Sequence, residues 1–225
     1  MNIANAIGYR LINAGHFFTQ IADKQQGRQM HDPEIYTKYI TDDPNEFLRI
    51  TYPLKKNSLV VDLGGYRGEW AARVFAKYAC KIHVYEPHPT FYKLCREALN
   101  PGIVVFNCGL GSETKTLRIT DDTVYSTVGD SGEFEVRIEQ ASKMFNGQYE
   151  YGCDLLKINI EGGEYDVLPD LIANYEMKNL KNIQIQFHNF VPDYKKKYAD
   201  ICEGLSKTHV KNWGYDFLYE NWRVK

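Results

Sequence analysis

The stretch LVVDLGGYRGEW, residues 59–70, carries a β-branched apolar run into a glycine-rich bend and then into what reads as the start of a helix. An apolar strand closing on Asp62, followed by Gly64, Gly65 and Gly68 with Glu69 behind them, predicts a sharp turn whose backbone N–H groups face a ligand. Carboxylates and phosphates suit such a place. The turn alone fits several nucleotide cofactors, so the choice among them rests on its surroundings.

From residue 59 onward, short apolar runs alternate with helical segments, the pattern of a parallel sheet with helices on both faces. The spacing predicts strands over 59–63, 82–86, 103–107, 154–160 and 182–188, and helices over 67–79, 89–99, 164–178 and 193–208. One interval breaks the rhythm. Residues 114–139 hold TKTLRIT and EFEVRIE around DDTVYSTVGDSG, which predicts an inserted antiparallel ribbon whose tip overhangs the site. The closing GYDFLYENWRVK predicts one or two final strands with a hairpin turn at Glu220 and Asn221. Upstream, Ile3, Ile7, Leu11, Ala14, Phe18 and Ile21 recur at helical spacing, residues 24–34 read as loop, and residues 35–50 read as helical again. The expected architecture is α/β: a Rossmann-like, doubly wound, mostly parallel sheet over residues 51–225, after an N-terminal helical extension over 1–50. That extension would serve as a lid, a packing segment or the contact of a homodimer.

Composition narrows the function classes. The chain has 225 residues, 44% of them hydrophobic, which suits one α/β domain with a sizeable core. Lys and Arg number 27 against 29 Asp and Glu, a formal charge of -2 that offers no general attraction for nucleic acid. The five cysteines (Cys80, Cys95, Cys108, Cys153, Cys202) form no C-x-x-C pair and read as reduced thiols. No apolar run reaches the roughly 20 residues of a membrane span and no secretory start is visible, so a cytoplasmic location is expected.

A second acid stands at Glu86, in HVYEP, 24 residues beyond Asp62, with room for a helix and a return strand between them. At the tip of the second strand a carboxylate accepts both hydroxyls of a ribose, which points to an adenosine. Pro87 and His88 lie near the adenine face on this reading, or simply begin the next helix. Two adenosine cofactors compete, a nicotinamide dinucleotide and S-adenosylmethionine. The turn, from Leu63 to Gly68, lacks the first glycine of G-x-G-x-x-G. Asp62 would repel a pyrophosphate but attract a methionine ammonium, so charge favours S-adenosylmethionine.

The fourth strand and its exit read DLLKINIEGGEYDVL, residues 154–168, with Asn159 and Glu161 expected at the cleft where Gly162 and Gly163 allow close approach. VVDLGGYRGEW, HVYEPHP, FNCGLGSETKTLRI and this fourth motif, in this order, resemble the FkbM-type family of class I S-adenosylmethionine-dependent O-methyltransferases. The resemblance implies that Asp62, Gly64 and Gly68 hold the methionine end, Glu86 the ribose, and Asn107 with Cys108 the adenine edge, with Gly65, Glu69 and Pro87 as further cofactor-binding candidates. Asn159 and Glu161 would face the sulfonium and the acceptor. It further implies transfer of a methyl group to a hydroxyl of a surface-glycan sugar or a small natural product, with S-adenosylhomocysteine as product.

The chain departs from that family at two positions, Asn159 and Gln186, where acids are usual. Amides orient an acceptor but cannot take its proton. His188 is then the first candidate for the base and Glu161 the second, with a structural histidine and a helix-capping glutamate as the plain alternatives. Loss of two acids also depletes the hard oxygen ligands of magnesium, so no required metal is expected. Tyr125, Ser126 and Thr127 either touch the acceptor or are turn residues, and Lys195 to Lys197 read as a solvated helix face. KINIEGG is not the Asn/Asp-Pro-Pro-aromatic element that cradles an exocyclic amine. Two other readings stay open, a nicotinamide-dependent oxidoreductase and a non-catalytic S-adenosylmethionine-binding protein.

Overall fold

The computed structural model describes residues 32–119 and 134–225. The helix expected over 3–21, most of the 24–34 loop, and the ribbon tip with Tyr125, Ser126 and Thr127 lie outside the described residues. Ten strands are present among those described: β1 (Leu59–Leu63), β2 (Lys81–Tyr85), β3 (Val104–Phe106), β4 (Gly109–Gly111), β5 (Lys115–Ile119), β6 (Phe134–Gln140), β7 (Leu155–Ile158), β8 (Asn182–Ile185), β9 (His209–Tyr215) and β10 (Tyr219–Val224). The helices are α1 (Pro33–Asp42), α2 (Glu69–Tyr78), α3 (Pro89–Ala98), α4 (Ala141–Gln148), α5 (Glu164–Asn174) and α6 (Tyr194–Ser206).

Seven strands form one sheet in the order β3-β2-β1-β7-β8-β10-β9. β1 pairs parallel with β2 and β7, whereas β10 runs antiparallel to both its neighbours. Alternation along the central strands feeds two cores. Val61, Leu63, Leu156, Ile158, Ile183 and Ile185 pack on one face with residues of α4, α5 and α6. Val60, Ile82, Val84 and Leu155 face the other way, against α2, α3 and the segment Ile50, Tyr52 and Leu54. Both faces are covered, which is why these strands read as nearly unbroken apolar runs.

The predicted ribbon is present: β5 and β6 pair antiparallel, and β4 adds to β6 in parallel to make a second, three-stranded sheet. Other expectations need correction. The C-terminal hairpin turns around Asp216 to Leu218, with Leu218 N donating to Tyr215 O at 3.0 Å, while Glu220 and Asn221 are buried strand residues. Asn221 is held there by its amide donating to Ile183 O at 3.3 Å, so a turn-forming residue type is spent on a neighbouring strand instead. α1 ends at Asp42 rather than running to residue 50, because the Asp43 carboxylate accepts from Phe47 N and Leu48 N and folds the chain back. α5 stops at Asn174, short of residue 178. α4 has no strong signal in ASKMFNGQ; its first turn is fixed by Asp170, which accepts from Ser142 N at 2.6 Å and Ser142 Oγ at 3.0 Å.

Register places the polar residues. Asp62 lies opposite Lys157, Lys157 opposite Gln184, and Gln184 opposite Asn221, a row of polar side chains across four strands. Two residues further on, past the ends of β1, β7 and β8, come Gly64, Asn159 and Gln186, with Tyr219 in the same position on the antiparallel strand. β7 and β8 end earlier than the apolar runs suggested, so these groups emerge at the sheet edge rather than inside the ladder. Among the described residues, no helix is long and apolar enough to cross a membrane.

Gly64 is what lets the ends of β1 and β7 meet. Its φ is +87°, and a Cβ there would lie 1.9 Å from the Asn159 carbonyl oxygen. Gly64→Ala is expected to destabilise the fold by about 2–4 kcal/mol through strain and forced separation of the strand ends. Gly147→Ala in α4, where an added Cβ meets nothing within 4 Å, should instead stabilise it by about 0.4–1 kcal/mol. Urea unfolding of the two variants checks the contrast; equal midpoints would refute the close approach.

Candidate active site

The first site residue is held by a partner that the sequence reading did not single out. Asp62 is 1% exposed, and the Lys157 ammonium, from the adjacent position on β7, stands 2.8 Å from its Oδ1. The same ammonium donates to Gly64 O at 2.7 Å and approaches Leu63 O at 3.4 Å. Burial pushes the Asp62 carboxyl up, and Lys157 and then Arg49 oppose that rise. Neither Asp62 oxygen has a well-directed hydrogen bond within the protein.

Glu86 sits just past β2. Its Oε2 accepts from Tyr66 N at 2.7 Å and its Oε1 from His88 N at 2.9 Å, which ties the glycine turn to the second strand. Burial raises its carboxyl to about 7, against those two N–H donors. Each oxygen keeps a further lone pair for a ribose hydroxyl. The Asn107 amide donates to Glu86 O and Pro87 O, both at 3.1 Å, and so fixes the backbone that carries the acid. Cys108 is half-buried beside it, its thiol pushed up to about 11 mainly by burial. His88 caps α3, its Nδ1 accepting from Thr90 N at 3.2 Å, with Pro89 at the first helical position. Gly65 packs on β2, where a Cβ would meet Val84 Cγ1 at 2.3 Å. Gly68 caps α2 in the left-handed region at φ +82°, and Glu69 opens that helix on the exposed side.

The exit of β7 is built differently from the sequence expectation. Glu161 adopts φ 51° and does not cap the helix; Glu164 does the local work, its Oε2 accepting from Gly162 N at 2.9 Å. Glu164 Oε1 accepts from His188 N at 2.8 Å and lies 2.9 Å from His188 Nδ1. Glu161 Oε2 stands 3.4 Å from His188 Nε2, and the Tyr165 hydroxyl donates to His188 O at 2.8 Å. His188 is thus fully enclosed between two carboxylates. Burial alone would lower its pKa, but Glu161 and Glu164 more than offset this and push it up to about 10. The side chain is wholly buried and each ring nitrogen faces a carboxylate, so His188 presents no nitrogen to solvent. Lone residues do not betray this in sequence; the signal was the second glutamate in EGGE.

Asn159 Oδ1, Gln186 Oε1 and Asp62 Oδ2 are buried without a hydrogen-bond partner, while Asp62 Oδ1 meets Lys157 Nζ and Glu161 Oε2 meets His188 Nε2. Buried polar atoms are normally paired, so a cluster of unpaired ones at the ends of three adjacent strands marks a place completed by a ligand. It lies at the same end of the sheet as the glycine turn and Glu86. Among the described residues, no group of three or more His, Cys, Asp or Glu side chains is arranged to hold a metal ion.

Comparison with known proteins agrees with this geometry. The family described as "Methyltransferase FkbM domain" matches residues 62–217. No curated protein sequence matches the chain. A provisional rRNA methylase from Clostridium thermocellum superposes with a TM-score of 0.50 at 7% identity, over 82% of this chain and 94% of that one. A provisional methyltransferase from Streptococcus mutans, in complex with SAH, gives 0.49 at 10% identity, over 82% and 97%. A provisional caffeoyl-CoA O-methyltransferase from Staphylococcus aureus gives 0.46 at 9% identity, over 97% and 100%. The first of these supports the fold alone. The family match spans well over half of the chain and every motif from Asp62 to Phe217, and with it the chain belongs to the FkbM methyltransferases, S-adenosylmethionine-dependent enzymes of the class I fold.

Proposed function

We propose that this methyltransferase acts on a hydroxyl of a sugar or a small natural product, and that Glu161 receives the hydroxyl proton. The observation that carries the reading is the pair of unpartnered buried amide oxygens on Asn159 and Gln186, with the partly exposed Glu161 on the same strand exit, beside the methionine end expected at Asp62, Gly64, Gly65 and Gly68. The cofactor, when bound, supplies an electrophilic methyl on sulfur. The protein has then to position the acceptor in line, exclude water and receive one proton.

Each residue has a share in that. Glu86 takes the ribose hydroxyls, and Asn107, Pro87 and Cys108 shape the adenine side. Asn159 and Gln186 are neutral, so they orient the acceptor oxygen without competing for its proton. Glu161 is the carboxylate of the group with solvent access, its side chain 28% exposed, whereas His188 lies wholly behind it. His188 acts as a positioning residue: held by Glu164 on one ring nitrogen, it faces the Glu161 carboxylate with the other and fixes its place. With the family established, the nicotinamide reading falls away, and a cofactor-binding protein without turnover becomes an outcome of the test below.

Against a panel of glycosides and phenolic natural products, methyl transfer to oxygen is expected. Glu161→Gln should lower turnover by about 10²–10⁴-fold and leave cofactor affinity nearly unchanged. Full activity in that variant would remove Glu161 as the base, and cofactor binding with no transfer to any hydroxyl would favour the non-catalytic reading.

His188 makes a separate prediction about stability. Its folded pKa of about 10 lies above the ordinary 6.5, so its contribution is complete below pH 6.5 and is lost as pH rises towards 10. Thermal unfolding of the wild type should therefore show a decline over that window that is missing in His188→Gln. Parallel pH profiles for the two proteins would contradict the two-carboxylate clasp.

A further inference from the structure

Arg49 lies in the segment between α1 and β1, upstream of the family match at residues 62–217. Its side chain is only 12% exposed and is fixed from several sides. Nη1 donates to Glu46 Oε1 at 2.8 Å, and Glu46 is itself anchored by Arg73 Nη1 at 2.8 Å on its other oxygen. The guanidinium carbon stands 4.1 Å from the centroid of the Tyr219 ring, on the strand next to Gln186. The Arg49 carbonyl accepts from Trp70 Nε1 at 2.9 Å, so the segment is pinned to the helix that the glycine turn opens.

One edge of this fork is left over. Among the described residues, Nε is buried with no hydrogen-bond partner, and the guanidinium's hydrogen bond leaves by Nη1. Nε and Nη2 share the side edge of the planar group, the edge that matches a carboxylate with two parallel N–H···O bonds. Arg49 is also close enough to Asp62 for its charge to act on that carboxylate. An isolated anion would meet Asp62 and Glu46 as repelling neighbours. A group bearing an ammonium and a carboxylate on one carbon would not, because Asp62 and Arg49 offer it the two opposite charges.

We propose that Arg49 binds the α-carboxylate of the cofactor's methionine end through its Nε–Nη2 edge, with Asp62 serving the α-ammonium. The assignment rests on the S-adenosylmethionine reading and adds to it a residue that the matched segment does not contain. A carboxylate on the acceptor is the other source of the same chemistry, and the test separates the two.

The test is calorimetric titration of the full chain, as wild type, Arg49→Gln and Arg49→Lys, with S-adenosylhomocysteine and with 5′-methylthioadenosine, which lacks the amino-acid end. Arg49→Gln should weaken S-adenosylhomocysteine by about tenfold or more, with Arg49→Lys in between, while 5′-methylthioadenosine stays within about twofold in all three. Constant 5′-methylthioadenosine affinity also shows that the variants keep the pocket. If both ligands weaken together, Arg49 acts on the fold and the assignment is overturned. If neither weakens, the carboxylate of the cofactor is held elsewhere and Arg49 is left to an acidic acceptor, which also overturns it. A wild type that binds neither ligand would instead remove the cofactor reading beneath it.

Discussion

A buried lysine joins the two strands on which the site depends. Lys157 Nζ contacts the Asp62 carboxylate and the Gly64 carbonyl, so one ammonium binds the end of β1, the start of the glycine turn and the middle of β7 together. Such a pair costs desolvation on both sides, and removing one partner would leave an uncompensated charge at about 3–5 kcal/mol. Its position in the fold follows from register, Asp62 being the β1 partner of Lys157. Once that contact is made, the left-handed Gly64 abuts the Asn159 carbonyl, and the exits of β1 and β7 are brought as near as backbones allow. Asn159, Glu161 and the glycine turn are then brought to the same end of the sheet.

Charge in the site is arranged at two depths. At the lower level Asp62 and Lys157 form a buried ion pair. At the rim, His188 stands between Glu161 and Glu164, and only Glu161 reaches solvent to any extent. Glu86, raised to about 7 by burial, lies to the other side and is steadied by two backbone N–H groups that also anchor the turn. The sheet thus holds three acids, Asp62, Glu86 and Glu161, in three different surroundings. The roles proposed for them rest on those surroundings rather than on residue type.

Much of the frame was legible because the central strands are covered on both faces and must be apolar throughout. β1 at Leu59–Leu63 emerges as the sequence predicts, and so do the two paired segments of the inserted ribbon. What was not legible depends on partners distant in sequence. α4 is secured by Asp170, and the final hairpin turns at Asp216 because Asn221 bonds to a neighbouring strand. For the candidate site, the places of Asp62 and Glu86 at strand ends were readable, whereas the enclosure of His188 between two carboxylates was not. It depends on Glu161 at Nε2 and on Glu164 at Nδ1, the latter a contact across 24 residues. Lys157 did leave a trace, a lone cation within an apolar strand, and Arg49 left none, since its role is set by Glu46 and Tyr219.

The account stands on the cofactor, and parallel calorimetric titration of the wild type and Glu86→Ala with S-adenosylhomocysteine and with NAD tests it most directly. Saturable one-site binding of S-adenosylhomocysteine that is lost in Glu86→Ala, with no binding of NAD, is the predicted result. Binding of NAD alone, or S-adenosylhomocysteine affinity indifferent to Glu86, would contradict the assignment of this polar row to S-adenosylmethionine.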